Sequence, residues 1–322
     1  MKRVVVLGGG ISGYGSAILA KKEGFDVFLS DRGALSQDVI SKLEEWNIPY
    51  EQGLHSQELI LSADLVIKSP GIPDSAPLVK ALAAKGTPII SEIEFAGRYK
   101  GASKTICISG SNGKTTTTSL IYKILSEAGY SVAVGGNIGE SFAYSVATGS
   151  FDWYVLELSS FQLDGMFDFK ADIAVLLNIT PDHLDRYEYK FENYAESKMR
   201  ITQNQGPDDF FIYFACDKAI EAQMSKRQMG MQLLSFGEQV TDKIEAKVGS
   251  AQISFDTDKM QLSGRHNIYN AQAAALAALA AAVEPQQIER SICQFSAVEH
   301  RLQPIAQIDE VLYINDSKAT NV

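Results

Sequence analysis

Residues 110–116 read Gly-Ser-Asn-Gly-Lys-Thr-Thr, and this stretch decides how the fold of the chain is interpreted. An apolar run at residues 105–109 precedes it, and residues 115–128 repeat leucine and isoleucine at helical spacing. A strand, a glycine-rich turn and a helix are typical of a phosphate-binding loop, because backbone N–H groups and the helix N-terminus attract an anion. The usual glycine five residues before the Gly-Lys pair is replaced by Ile108, and Gly110 lies nearer the pair. The sequence therefore predicts a shortened phosphate-binding loop, with a plain glycine turn carrying an exposed lysine as the alternative.

The side chains of this stretch suggest how such a loop would act. The ammonium of Lys114 would reach the terminal phosphates of a nucleotide, and the hydroxyl of Thr115 would bind the accompanying Mg²⁺. The candidate nucleotide-binding residues are Gly110, Ser111, Asn112, Gly113, Lys114, Thr115 and Thr116.

Composition limits the class of protein. The chain has 322 residues, a length that favours roughly two domains. Its 29 Lys and Arg against 39 Asp and Glu give a net charge of −10, so we expect no nucleic-acid partner. Three widely spaced cysteines form no metal or redox pattern. The longest apolar run, residues 273–283, is shorter than the ~20 residues that span a bilayer. We therefore expect a cytoplasmic protein with no membrane insertion and no targeting segment.

Residues 1–92 alternate predicted strands and helices, which is typical of a Rossmann-like, doubly wound parallel domain. The first turn, residues 8–13, reads Gly-Gly-Gly-Ile-Ser-Gly and satisfies the dinucleotide fingerprint. Asp31 closes the second predicted strand, where a ribose partner would lie, and the turn at residues 69–73 belongs to the same sheet edge. Because such a turn binds a pyrophosphate through its backbone, UDP-linked ligands fit as well as NAD, and an empty scaffold is the alternative.

A polar connector is predicted at residues 91–100, and a central α/β domain of the P-loop NTPase type at residues 93–299. One of its apolar strands ends at Glu157, and another ends shortly before His183. Because parallel strands deliver their last residues to one edge, both side chains would lie beside the phosphate loop. A carboxylate there commonly holds the nucleotide's Mg²⁺. The alternatives are a solvated strand end for Glu157 and a loop histidine without metal contact for His183.

Two predicted helices carry further candidates. In the helix at residues 191–201, Tyr194 and Lys198 lie one turn apart on one face, where a lysine is usually solvated. In the alanine-rich helix near residue 270, Asn267 and Asn270 share a face, and both could instead cap or start that helix. Strands that would complete the central sheet are predicted at residues 210–214, 233–236 and 253–255.

The last segment, residues 300–322, looks like the opening of a third domain. A strand is predicted at residues 311–314, and Asn-Asp-Ser-Lys-Ala-Thr-Asn follows it at residues 315–321. Because a lone strand without partners cannot bury itself, we expect it to lean on the second domain or to be disordered. The third domain is thus expected to be truncated.

Six stretches of the sequence carry a resemblance to a known family: residues 110–115, 157–163, 178–186, 264–267, 300–301 and 315–321. Taken together they resemble the Mur ligases of peptidoglycan synthesis, and the likeness covers all 322 residues. The Ser-Ser-Phe-Gln-Leu and Asp-Ser-Lys-Ala-Thr-Asn stretches point to the D-glutamate-adding branch, rather than to ligases that add alanine, diaminopimelate, lysine or the final dipeptide.

This resemblance implies an ATP-dependent amide ligase. ATP would phosphorylate the carboxylate of UDP-N-acetylmuramoyl-L-alanine, and the amine of D-glutamate would attack the acyl phosphate, with Mg²⁺ neutralising charge. By resemblance, Lys114 holds the β- and γ-phosphates, Thr115 and Glu157 bind one Mg²⁺, and His183 binds a second. Lys198 would carry a CO₂-derived carbamate and ligate metal, which requires an uncharged amine. The resemblance thus overrules the expectation of a solvated lysine.

The remaining roles also come from the resemblance. Asn267 and Asn270 would lie near the adenine, and Arg301, Asp316 and Lys318 would close on the nucleotide from the third-domain side, with catalytic roles. UDP is preferred to NAD because no hydride chemistry is found elsewhere in the chain. The UDP-linked substrate would contact Ile11, Ser12, Gly13, Asp31, Arg32, Ser69, Pro70, Gly71, Ile72, Asn137, Ser159, Gln162 and His183.

Family members continue into a whole third domain that binds the incoming amino acid. Without it the D-glutamate pocket would be missing, so we expect a monomeric, truncated ligase that binds the UDP substrate and is inactive. The alternatives are another Mur-type or folylpolyglutamate-type amide ligase, and a non-catalytic module that binds a UDP-sugar or a dinucleotide.

Overall fold

Two parallel α/β units follow one another along the chain. The computed structural model describes residues 1–238, 242–296, 303–308 and 311–315. In these residues, every helix is too short or too polar to cross a membrane. The predicted order, a doubly wound unit followed by a unit built around a phosphate-loop strand, is confirmed.

The first unit is a parallel sheet with helices on both faces. Its elements are β1 (Arg3–Leu7), α1 (Ile11–Lys22), β2 (Asp26–Asp31), α2 (Gln37–Glu45), β3 (Tyr50–Gln52), α3 (Gln57–Leu61), β4 (Leu65–Lys68), α4 (Pro77–Ala84) and β5 (Ile89–Ile90). Among the described residues, the strand order is β3-β2-β1-β4-β5. Val4 and Val6 pack into the cluster that includes α1, whereas Val5 packs with α3 and α4. The first strand is therefore apolar on both faces, as covered parallel strands are.

Two elements of this unit escaped prediction. Strand β3 and helix α3 are short, three and five residues long. The strand that precedes the turn at residues 69–73 is therefore β4, the fourth along the chain.

The segment between the two units is a buried helix. Helix α5 (Glu92–Gly97) replaces the predicted polar connector, which was wrong. Ser91 caps it by accepting a hydrogen bond from the backbone N–H of Glu94 at 3.2 Å. The Glu94 side chain is fully buried and accepts hydrogen bonds from three successive backbone N–H groups, beginning at Phe167, at 2.9 to 3.0 Å. This helix fastens the first unit to the second.

The second unit has a larger parallel sheet. Its elements are β6 (Lys104–Ser109), α6 (Lys114–Glu127), β7 (Val132–Gly136), α7 (Phe142–Thr148), β8 (Trp153–Glu157), α8 (Ser160–Asp164), β9 (Ile173–Leu176), α9 (Phe191–Met199), β10 (Phe210–Phe214), α10 (Lys218–Met224), β11 (Gln232–Phe236), α11 (Arg265–Ala280) and α12 (Pro285–Cys293). Among the described residues, the strand order is β11-β10-β9-β6-β8-β7. The strand β6 lies between β9 and β8, so the chain leaves its carboxyl end at a topological switch point, where ligands collect in such sheets.

Two hairpins lie outside these sheets and correct two predictions. Residues 253–255 do not complete the central sheet, because they belong to an antiparallel pair, β12 (Lys243–Val248) with β13 (Ala251–Asp256). The predicted strand at residues 311–314 is not lone: β15 (Val311–Asn315) pairs antiparallel with β14 (Gln303–Ile308). The partner strand β14 was not predicted.

Candidate functional site

The loop between β6 and α6 has the conformation that its glycines permit. Gly113 precedes α6 with a φ of +85°, and a Cβ there would lie 2.4 Å from Asn270 Oδ1. The backbone N–H of Asn112 donates to Asn178 Oδ1 at 2.8 Å, and Asn178 Nδ2 donates to the Asn112 carbonyl at 3.0 Å. The predicted strand, loop and helix are therefore present, and the end of β9 fixes the shape of the loop.

The amine of Lys114 is folded over this loop. Its Nζ donates to the Gly110 carbonyl at 2.9 Å and to the Ser111 carbonyl at 3.0 Å. Ser111 Oγ in turn donates to the Thr180 carbonyl at 2.9 Å and lies 3.2 Å from the Tyr194 hydroxyl. The lysine is thus positioned by the backbone that would surround a phosphate.

Glu157, at the end of β8, joins the loop to the neighbouring strand. Its Oε2 accepts a hydrogen bond from Thr115 Oγ1 at 2.8 Å, and its Oε1 accepts one from Asn137 Nδ2 at 2.9 Å. The residue is 2% exposed, so the alternative of a solvated strand end is wrong. A hydroxyl and a carboxylate in direct contact supply the hard oxygen ligands that Mg²⁺ prefers, and these residues fit that ion.

Lys198 is buried beside the same loop. The residue is 2% exposed, and its Nζ donates to the Gly110 carbonyl at 2.9 Å. The amine lies 4.9 Å from the ring centroid of Tyr194, so the predicted placement of these two residues on one helix face is confirmed. Burial, and next the Lys114 ammonium, lower the pKa of Lys198 to about 7. The expectation of a solvated lysine is wrong, because the side chain turns inward.

His183 lies on the segment after β9 in a left-handed conformation, with a φ of +49°. Its side chain is 56% exposed, with Nε2 3.6 Å from Asp182 Oδ2 and its ring 5.3 Å from that of Phe161. Arg186 covers the Phe161 ring at 4.4 Å. These described contacts place His183 in an aromatic cluster with Phe161, whereas Lys114, Thr115, Glu157 and Lys198 meet at the loop itself.

Asn267 and Asn270 lie inside α11 and are both 6% exposed. Asn270 Nδ2 donates to Asn267 Oδ1 at 3.2 Å, which confirms that they share a face. The helix begins after Gly264 without a side-chain capping bond, so neither asparagine caps it, although Asn267 lies in its first turn. Because Asn270 also lies against Gly113, this pair reaches the phosphate loop.

Ser159 and Gln162 make a capping box at the start of α8. Ser159 Oγ accepts from the Gln162 backbone N–H at 3.3 Å, and Gln162 Oε1 accepts from the Ser159 backbone N–H at 2.9 Å. This arrangement holds the segment after Glu157 in place. Any substrate contact of these two residues remains a prediction.

A cleft of about 540 Å³ opens beside the first turn of the first unit. Residues of both units line it, among them Ile11 and Asp31 from the first and Glu140 from the second. Asp31 is occupied by the backbone, since its two oxygens accept hydrogen bonds from the N–H groups of Gly9 at 2.5 Å and Gly33 at 2.6 Å. The carboxylate therefore shapes the turn that was predicted to hold a diphosphate.

The other residues predicted to contact UDP lie at the same carboxyl edge of the first sheet. Ile11 is 54% exposed at the start of α1, and Arg32 is exposed after β2. Ser69 Oγ donates to the Gly8 carbonyl at 3.4 Å, which sets the turn at residues 69–72 against the first turn. Ser12 and Gly13 belong to the first turn of α1.

The contacts of four residues that shape these sites were not predicted from the sequence. Tyr14 donates to Glu140, Asn178 contacts Asn112 and Tyr194 contacts Ser111, and no local sequence pattern signals these long-range contacts. The predicted residues Arg301, Asp316 and Lys318 fall outside the described residues.

Comparison with known proteins follows the division into two units. The family model described as Mur ligase middle domain matches residues 108–278, and the model described as Mur ligase MurD-like, N-terminal domain matches residues 2–91.

Curated relatives match the chain along its length. A UDP-N-acetylmuramoylalanine--D-glutamate ligase of Bacteroides thetaiotaomicron is 49% identical over 330 residues, covering 100% of this chain and 74% of the relative. The protein of the same name from Christiangramia forsetii is 47% identical over 332 residues, with the same coverages. The chain thus spans about 74% of the length of these relatives.

Solved structures share the fold. The UDP-N-acetylmuramate:L-alanyl-gamma-D-glutamyl-meso-diaminopimelate ligase from Neisseria meningitides superposes with a TM-score of 0.64 at 22% identity, covering 93% of this chain and 99% of that chain. The UDP-N-acetylmuramate-alanine ligase from Thermotoga maritima superposes with a TM-score of 0.56 at 21% identity, covering 98% of this chain and 74% of that chain. Such low identities speak for the fold alone.

Proposed function

Because this chain belongs to the Mur ligase family, we propose that it is a peptidoglycan-precursor ligase that joins D-glutamate to UDP-N-acetylmuramoyl-L-alanine. ATP activates the substrate carboxylate as an acyl phosphate, and the amine of D-glutamate displaces phosphate to form the amide. One observation carries the proposal on the structural side: Thr115 and Glu157 are in contact directly below a phosphate loop.

On the nucleotide side, the residues of this chain act by position and charge. Backbone N–H groups of residues 110–116 surround the phosphates, and Lys114 adds a cation at the loop. Thr115 and Glu157 hold a Mg²⁺, which withdraws charge from the phosphoryl oxygens when bound. Asn267 and Asn270 lie on the helix beside the loop, where the proposal places the adenine.

Lys198 completes the proposed metal site as a carbamate, with His183 as a ligand of a second Mg²⁺. Formation of a carbamate needs an uncharged amine, and the lowered pKa of Lys198 supplies one near neutral pH. When the neutral amine adds to CO₂, an N–C bond forms and one proton leaves to solvent, so the side chain would become an anion that is attracted to Lys114 and would supply an oxygen ligand.

The UDP part of the substrate is proposed to occupy the cleft beside residues 8–13, with its diphosphate on the first turn of α1. The muramoyl-alanine end then points towards Asn137, Ser159 and Gln162, which lie at the carboxyl edge of the second sheet. Arg301, Asp316 and Lys318 close on the nucleotide in this proposal.

Residues 1–322 span about 74% of the relatives' length. We propose that this polypeptide binds the UDP-linked substrate. A monomer in the cytoplasm, where ATP is supplied, fits this role.

The proposal is tested by a coupled assay of ADP release from the ligase with ATP, UDP-N-acetylmuramoyl-L-alanine and each of several amino acids. D-glutamate should stimulate ADP release, and L-alanine, meso-diaminopimelate and D-alanyl-D-alanine should not. Stimulation of ADP release by another amino acid would show that the chain is a Mur-type ligase with a different amino-acid substrate. Absence of UDP-substrate binding to residues 1–322 would contradict the proposed cleft.

A further inference from the structure

The two proposed nucleotide sites belong to different sheets. The units that carry these sheets are in close contact where α1 of the first packs against the start of α7 of the second. Helix α1 begins at Ile11, beside the turn proposed to hold the diphosphate, and Tyr14 lies one turn farther along. A Cβ on Gly15 would lie 1.9 Å from Ser141 Oγ, at the start of α7. The first helix of one unit is thus packed directly against the second unit.

Tyr14 makes a hydrogen bond across this contact between the two units. Its hydroxyl donates to Glu140 Oε1, which also accepts from the backbone N–H of Ser141 at 2.9 Å. The Tyr14 ring lies 4.3 Å from Lys42 Nζ. Burial and the hydrogen bond to Glu140 raise the pKa of Tyr14 to about 12, so the phenol keeps its proton and remains a donor at neutral pH.

Glu140 ends the turn at residues 136–140, and this turn is tightly packed against neighbouring backbone. A Cβ on Gly136 would lie 2.2 Å from the Glu157 carbonyl, and a Cβ on Gly139 would lie 2.8 Å from a β7 carbonyl. At the other end of this turn, Asn137 donates through its backbone N–H to the Glu157 carbonyl at 2.8 Å and through Nδ2 to Glu157 Oε1 at 2.9 Å. We therefore expect that a movement of Glu140 would also move the Glu157 carboxylate, which contacts Thr115.

We propose that Tyr14 and Glu140 are positioning residues that couple binding of the UDP-linked substrate to binding of Mg·ATP. The inference rests on the proposed function, since it assigns one ligand to each site. A diphosphate on the first turn of α1 fixes Tyr14, Tyr14 holds Glu140 and its turn, and Asn137 then orients the Glu157 carboxylate. Each ligand favours the engaged state that the other requires, and such coupling acts equally in both directions.

The test is calorimetry on residues 1–322. The Kd of Mg·AMP-PNP is measured with and without saturating UDP-N-acetylmuramoyl-L-alanine, and the ratio of the two values is the readout. In the unaltered protein the UDP-linked ligand should tighten nucleotide binding by at least about fivefold. Tyr14→Phe should bring the ratio close to one, whatever it does to either affinity alone.

Matched variants separate coupling from packing. Tyr144→Phe makes the same chemical change in the ring that contacts Tyr14 at 5.6 Å, and it should keep the ratio. Glu140→Gln retains an acceptor for the phenol and should keep most of the coupling, whereas Glu140→Leu should abolish it. Melting temperatures confirm that each variant is folded.

Two results would overturn the inference: a ratio of one in the unaltered protein, or an unchanged ratio in Tyr14→Phe. If either ligand fails to bind the unaltered protein, the proposed function fails and the coupling with it. That outcome is distinct from independent binding of both ligands, which rejects the coupling alone.

Discussion

Lys114 and Lys198 donate hydrogen bonds to the same acceptor, the carbonyl oxygen of Gly110, each at 2.9 Å. Two ammonium groups on one oxygen repel each other, and only one of them is deeply buried. Burial, and next the nearby Lys114 ammonium, lower the pKa of Lys198 to about 7, so the buried amine loses its proton near neutral pH.

Lys198 should accept CO₂ in a pH-dependent manner. With ¹³C-labelled CO₂ held at a fixed dissolved concentration, a carbamate carbon signal should grow in NMR spectra between about pH 6 and pH 8. The reason is that a pKa of about 7 leaves most of the amine neutral only above that value. Lys198→Arg should remove the signal.

Lys190→Arg is the control for this experiment, because Lys190 is an exposed lysine paired with Glu188 and should not affect the signal. A signal that survives in Lys198→Arg, or none in the unaltered protein at pH 8, would exclude the carbamate.

Thr115→Val should uncouple nucleotide binding from Mg²⁺. The change removes the hydroxyl that contacts Glu157 while keeping a similar shape. We expect the Mg²⁺-dependent gain in ADP affinity to fall by at least about tenfold, a loss typical of disturbed metal sites. Calorimetry with Mg²⁺ and with EDTA measures that gain, and Thr115→Ser should preserve most of it. Equal Mg²⁺ dependence in Thr115→Val would remove this hydroxyl from the metal site.

Gly113→Ala should lower the free energy of unfolding for two separate reasons, backbone strain and a steric clash. Gly113 and Gly129 both have a φ near +90°, but only at Gly113 would a Cβ meet another atom, Asn270 Oδ1 at 2.4 Å. Gly129→Ala should therefore cost about 1 kcal/mol of unfolding free energy from backbone strain alone, and Gly113→Ala should cost more. Urea unfolding measures both.

The double change Gly113→Ala with Asn270→Ala should recover the excess cost, because it removes the clash but not the strain. If the two single glycine variants lose the same stability, contact between the loop and Asn270 does not constrain this position.

Glu94→Gln should destabilise the protein near neutrality and less so in acid. Burial alone would raise the pKa of Glu94, but the backbone N–H groups of Phe167 and Phe169 and the Arg98 guanidinium outweigh it and lower the pKa below the ordinary 4.5. The carboxylate thus stabilises the fold fully above pH 4.5, and this contribution is lost as the pH falls through the folded-state pKa.

At pH 7 we expect Glu94→Gln to lose about 2 kcal/mol of unfolding free energy, as for a buried hydrogen-bonded charge. Urea unfolding at pH 7 and at about pH 4 measures the change, and the exposed Glu188→Gln serves as the control. An equal loss at both pH values would show that the charge of Glu94 contributes nothing.

Regular patterns allowed much of the fold to be predicted. Around residue 110, an apolar run predicts the strand, glycines predict the loop and helical spacing predicts the helix. Because these three local signals agree, the phosphate loop could be predicted from the sequence. Helix α5 has no such signal, because its acidic residues look solvated until their partners are known. Those partners lie far along the chain: Glu94 is 73 residues from Phe167, and no short window contains both.

The same limit applies to the candidate site. Glu157 could be placed at the sheet edge from strand order, yet its contacts with Thr115 and Asn137 depend on three separate strand ends. Tyr14 and Glu140 are 126 residues apart, and neither belongs to a motif. Lys198 was correctly removed from the surface only by family resemblance, since its helix position alone favours solvent.

The burial of α5 bears on how the chain can be divided. Ile93, Phe95 and Ala96 are at most 1% exposed, so a protease acting on the native protein finds no accessible site within this part of α5. A fragment that ends at residue 91 would leave the face of α1 that carries Gly15 uncovered. During synthesis, the first sheet should therefore reach its final rigidity only after α7 has left the ribosome.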